Sequence, residues 1–119
     1  MYEKLRVLAY RYFTNFENKD IKALEEDFSE DITLFDPVVK LVKGKEAVLE
    51  INKNIFSDCK TIEFTKQDIF IDESKMTAVG ELEFFCGETK INVVDIIKFT
   101  DDLKIQSITA YLDTGIFKD

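Results

Sequence analysis

The chain has 119 residues, 45% of them hydrophobic, and carries a formal net charge of −8 with no histidine. That length and apolar fraction suit one domain, residues 1–119, with its own core, and four glycines and one proline leave little for linkers. The acidic balance sets an extended nucleic-acid contact against phosphate repulsion, and the missing imidazole excludes Ser-His-Asp and Cys-His catalytic sets and the commonest transition-metal ligand. No nucleic-acid partner, metal or cofactor is therefore expected.

Along the chain, Leu5, Leu8, Ala9, Tyr12, Phe13 and Phe16 recur at helical spacing and predict a first amphipathic helix. Its opening Tyr2-Glu3-Lys4 is not the continuous apolar stretch of a signal peptide, and no run is long enough to span a bilayer. The expectation is a cytoplasmic protein with no membrane partner. In that setting Cys59 and Cys86, whose spacing is neither a metal nor a redox motif, are expected as two reduced thiols that pack as small core hydrophobes.

Asn18-Lys19-Asp20 breaks the first helix, and Asp20 can cap a short second one whose inner face is Ile21, Leu24 and Phe28. A brief strand from Ile32 to Phe35 follows, stopped by Asp36-Pro37, with Val38 to Val42 as its hairpin partner. Gly44 turns the chain into a third helix with Ala47, Val48, Ile51 and Ile55 on one stripe and Phe56 beside it, ended by Ser57-Asp58.

The period then becomes two. Ile62 and Phe64 alternate in one phase and Ile69 and Ile71 in the other, which predicts a bulge between them. Turns at Asp72-Glu73-Ser74-Lys75, Gly87-Glu88 and Asp101-Asp102 separate the later strands of a meander. The fold class is α+β, with strands curling around helices from the N-terminal half.

In the penultimate strand, Ile91, Val93, Asp95, Ile97 and Phe99 share a face, so a carboxyl stands inside an apolar row. Asp95 is a buried acid satisfied by neighbours, an acid in a wet cavity, or a protonated donor. With a nearby Tyr12 hydroxyl it could stabilise an oxyanion while Asp36 abstracts a proton. Tyr12 is otherwise a core aromatic, and Asp36 a turn-ending acid. Phe16, Phe35, Phe56 and Phe84 could line a cavity or fill it, as could Ile97, Phe99, Ile108 and Leu112. Val94, Ile96 and Tyr111 would form an apolar outer stripe suited to a homodimer.

The order of these signposts resembles the nuclear transport factor 2-like superfamily, particularly ketosteroid isomerases and SnoaL-like polyketide cyclases. The resemblance spans nearly the whole chain. It is carried by Arg11-Tyr12-Phe13 ahead of Asn18-Lys19-Asp20, by Phe28-Ser29-Glu30-Asp31, by Asp36-Pro37, by Gly44-Lys45-Glu46-Ala47, and by Val94 to Phe99 leading into Asp101-Asp102-Leu103-Lys104-Ile105. It implies a cystatin-like roll, a cone-shaped, antiparallel or mixed curved sheet with a helix in its mouth, commonly a homodimer with an apolar interior pocket. It also implies the isomerase roles, with Asp36 as general base and Tyr12 and a protonated Asp95 as oxyanion donors. The expected function is binding of a small apolar, carbonyl-bearing molecule, with cofactor-independent isomerase or cyclase chemistry; the alternative is a non-catalytic ligand-binding or dimeric interaction module.

Overall fold

The computed structural model describes residues 1–113. Helix α1, Tyr2–Glu17, buries Leu5, Ala9, Tyr12 and Phe13 along one stripe, as the spacing predicts. Asp20 caps α2, Ile21–Asp27, its carboxylate accepting from the Ala23 amide at 3.1 Å. Seven residues are too few for a helix to propagate on its own, and α2 stops one residue before the expected inner-face Phe28. Phe28 instead opens strand β1, Phe28–Asp36, where its ring is fully buried and its backbone pairs with Ile105.

Strand β2, Lys40–Lys43, returns antiparallel to β1 and leads to α3, Lys45–Asp58. Then come β3, Ile62–Asp72; β4, Thr77–Cys86; β5, Thr89–Phe99; and β6, Ile105–Leu112. The β3–β4 pairing slips between Phe64 and Lys66, so the phase change read from the sequence is a bulge.

The six strands form one mixed, unclosed sheet in the order β2-β1-β6-β5-β4-β3, in which the β1–β6 pair alone is parallel. Helix α1 packs against β3 and β4, and α3 against β1 and β2. One end of the inner face is closed by Phe28, Ile32, Ile97, Phe99 and Ile105, all almost fully buried. Among the described residues, no helix is long and apolar enough to cross a membrane.

The cysteines are not two free thiols. Cys59, the C-terminal cap of α3, and Cys86, the last residue of β4, form a disulfide with Cα atoms 4.9 Å apart. Their 27-residue separation carries no motif, and the β3–β4 pairing, which sets Cys86 opposite Ile62 just after the end of α3, brings them together. The same junction is held by Lys19, whose ammonium donates to the carbonyls of Cys59 and Lys60, and by the Gly87 amide, which donates to Thr61 at 2.8 Å.

Candidate functional site

Away from the packed end, the inner face of the sheet, the α1 stripe and α3 enclose a cavity of about 350 Å³. That volume lies in the usual range for small-molecule sites. Its wall is mostly hydrocarbon, and Tyr12, Asp36 and Asp95 all stand on it. The structure therefore brings together the three groups that the sequence singles out.

Each is positioned by its element. Tyr12 follows Ala9 along the buried stripe of α1 and is 5% exposed, its ring edge-on to Phe13 at 5.3 Å. Asp95 is 8% exposed and sits at the centre of β5, with Gly80 opposite on β4 and Ala110 opposite on β6. Those two cross-strand neighbours are the smallest available in a row that is otherwise bulky. A Cβ on Gly80 would meet the Phe13 ring at 2.8 Å, so the ring takes the space that a larger residue would occupy. Asp36 ends β1, and its Oδ1 accepts from the amides of Val38 and Val39, each at 2.7 Å. This turn fixes the carboxyl, and Oδ2 makes no hydrogen bond to the protein among the described residues.

The electrostatics follow from burial. Desolvation pushes the Asp95 carboxyl up to about 7, and the charge of neighbouring Asp36 adds to the shift. Burial also holds the Tyr12 phenol well above its ordinary range, with the Asp95 charge as the second cause. Near neutral pH the pair therefore presents a phenol and a carboxyl with a substantial protonated fraction. No hydrogen bond joins the Tyr12 hydroxyl to Asp95, so neither is spent on the other.

Of the apolar candidates, Phe16, Phe84, Ile108 and Leu112 stand on the wall, whereas Phe35, Phe56, Ile97 and Phe99 do not. Phe35 lies between two wall residues, Leu34 and Asp36, so strand alternation turns it to the other face. Phe56 stands behind Phe16, its ring edge-on at 5.2 Å. Ile97 and Phe99 continue the Asp95 row into the packed end.

Most other described wall residues lie outside the set read from the sequence, and among them Asn52 is the one buried polar side chain. Asn52 is 4% exposed and lies on α3 midway between buried Val48 and Phe56, at intervals of four. A stripe drawn through Val48, Ile51 and Ile55 passes over it because it is polar; the four-residue interval itself was the available signal. No group of three or more His, Cys, Asp or Glu residues capable of holding a metal occurs among the described residues.

Comparison with known proteins agrees with this architecture. Among solved structures, an NTF2-like protein of unknown function from Cytophaga hutchinsonii superposes with a TM-score of 0.79 at 14% identity, covering 96% of this chain and 95% of that one. A candidate ketosteroid isomerase from Kribbella flavida superposes at 0.78 with 18% identity over 93% and 78%. SalBIII, an epoxide hydrolase/cyclase-like enzyme of pyran ring formation in the polyether salinomycin, superposes at 0.78 with 24% identity over 95% and 93%. At these identities the likeness is one of fold. No curated protein matches the chain in sequence. Residues 9–108, which include Tyr12, Asp36 and Asp95, match the SnoaL-like domain, and the chain belongs to that family.

Proposed function

We propose that the protein binds a small, mainly apolar, carbonyl-bearing molecule in this cavity and moves a proton next to the carbonyl, as an isomerase or cyclase without a cofactor. The observation that carries the reading is the convergence of Tyr12, Asp36 and Asp95 on one greasy chamber. Tyr12 and protonated Asp95 donate to the oxygen on which charge develops, and the low-polarity wall strengthens both bonds. The uncommitted Oδ2 of Asp36 takes the proton. Small-molecule neighbours such as the isomerase and cyclase-like proteins of the same fold support the class of chemistry.

The test is turnover of a β,γ-unsaturated ring ketone by the native protein and by Asp36→Asn. Asparagine keeps an acceptor for the Val38 and Val39 amides, so the turn survives while the base is lost. Turnover is expected to fall by at least a hundredfold with the circular dichroism spectrum unchanged. A variant that turns over the ketone at the native rate would remove Asp36 as the base, and a native protein that turns over no ketone would leave a non-catalytic binding module. That second reading draws on the structural use of Asp36 Oδ1 in the turn. On either reading Val94, Ile96 and the exposed Tyr111 on the outer face of the sheet supply the surface for a homodimer.

A further inference from the structure

The polar positions on the cavity wall are unequally provided for. Asp36 is held by two backbone amides, and Asn54 and Asp58 are exposed. Asn52 is buried, and its Oδ1 has no hydrogen-bond partner. Its amide nitrogen makes none either among the described residues. A carboxamide oxygen sealed off from water without a partner costs stability, and leucine would fill the same volume without that cost. Among the described residues the wall also contains no lysine or arginine. An anionic ligand would thus enter a chamber that offers it acids and no counter-charge.

We infer that Asn52 determines specificity by receiving a second polar function of the ligand, and that the cavity takes an uncharged, mainly apolar molecule with at least two oxygen functions. One oxygen meets the wall of Tyr12 and Asp95, and the other meets α3. Since the two ends of a carboxamide are nearly equal in shape, Asn52 can turn to serve either a ligand hydroxyl or a ligand carbonyl. The inference rests on the cavity being a ligand site, as proposed above, and adds which ligands it prefers.

Naphthols are suitable probes because the chain has no tryptophan to obscure their emission. Fluorescence titration at pH 6 would compare 2-naphthol, the 1,5-, 2,6- and 2,7-dihydroxynaphthalenes, and 2-naphthoate. At least one diol should bind about fivefold to tenfold tighter than 2-naphthol, the worth of one added hydrogen bond, and 2-naphthoate should bind weakest. In Asn52→Leu the diol preference should fall to about one, with 2-naphthol affinity kept and the thermal midpoint unchanged or raised. Asn52→Ala gives the same comparison where the leucine does not fit. A diol preference that survives in the variants, or a lowered midpoint with the preference intact, would make Asn52 structural and overturn the inference. Equal binding of all diols and 2-naphthol by the native protein would overturn it too, while leaving the cavity as a ligand site. Failure of every naphthol to bind would remove both.

Discussion

The inner face of the sheet has two halves built from the same strands by the same alternation, and one is solid while the other is hollow. Along β5 the row Ile91, Val93 and Asp95 faces the cavity, and Ile97 and Phe99 continue it into the core. In β6 the wall residues are Ile108, Ala110 and Leu112, and Ile105 is packed. Strand β1 repeats the division, with Leu34 and Asp36 on the wall and Phe28 and Ile32 in the core. Periodicity thus decides which side chains point inward. Whether they meet one another or a void depends on what covers them, and among the described residues the phenyl ring of Phe28 at the closed end has no equivalent on the cavity wall beside Ala110.

The largest expected effect contrasts the halves directly. Phe28→Ala in the solid half should cost about 3–5 kcal/mol of unfolding free energy, whereas Leu112→Ala on the cavity wall should cost less than about 1 kcal/mol. Urea denaturation of both variants measures the difference; equal costs would mean that the chamber is as tightly packed as the core.

Next comes the charge on the cavity wall. The Asp95 carboxyl is raised from 3.8 to about 7 in the folded state, so the native protein binds more protons than the unfolded chain between those values. Stability from this group is therefore full below about pH 4 and is lost as pH rises through about 7, by at most about 4 kcal/mol. Asp95→Asn should gain on the native protein steadily from pH 4 to pH 8. The native turnover should decline above about pH 7 as Asp95 loses its proton, and the asparagine variant, which still donates, should not show that decline. A stability gap that stays flat with pH would place the carboxyl in a wetter setting than the buried one described.

The smallest of the three concerns the junction where the cavity wall is tied. A loop of 27 residues closed by Cys59 and Cys86 restricts the unfolded chain by about 3.5 kcal/mol in the chain-entropy account. Cys86→Ser, or a reducing agent, should lower the denaturation midpoint accordingly. Because both sulfur-bearing residues stand on the wall, probe affinity should weaken with it, and an unchanged midpoint would show that α3 and β4 are held without the bond.

Much of this was legible in the sequence, and the failures share a cause. The helices, the bulge after Phe64 and the acid in the β5 row follow from local spacing, which one segment determines for itself. Phe28 was misplaced because its partner, Ile105, lies at the other end of the chain, and a helical continuation satisfied the local pattern equally well. The disulfide follows from a pairing of the same kind, since Cys59 lies three residues before Ile62, which pairs with Cys86 only once β3 and β4 are in register. Ile97 and Phe99 were offered as ligand contacts on the evidence of their face alone, and face does not reveal depth. The apolar stripe of Val48, Ile51 and Ile55 passes over Asn52, whose polarity inside the buried face of α3 is what makes it informative.

The parallel contact between the first strand and the last has a further consequence for how the protein comes into being. Strand β6 contributes Ile108, Ala110 and Leu112 to the chamber and must be made before it can slot between β1 and β5. During synthesis the helices and the β3–β4–β5 meander can assemble beforehand, but β1 waits with an unpaired edge until β6 has been made. The chamber is consequently complete only once β6 is in place, and a nascent chain halted before β6 would have a scaffold with one wall of the cavity missing.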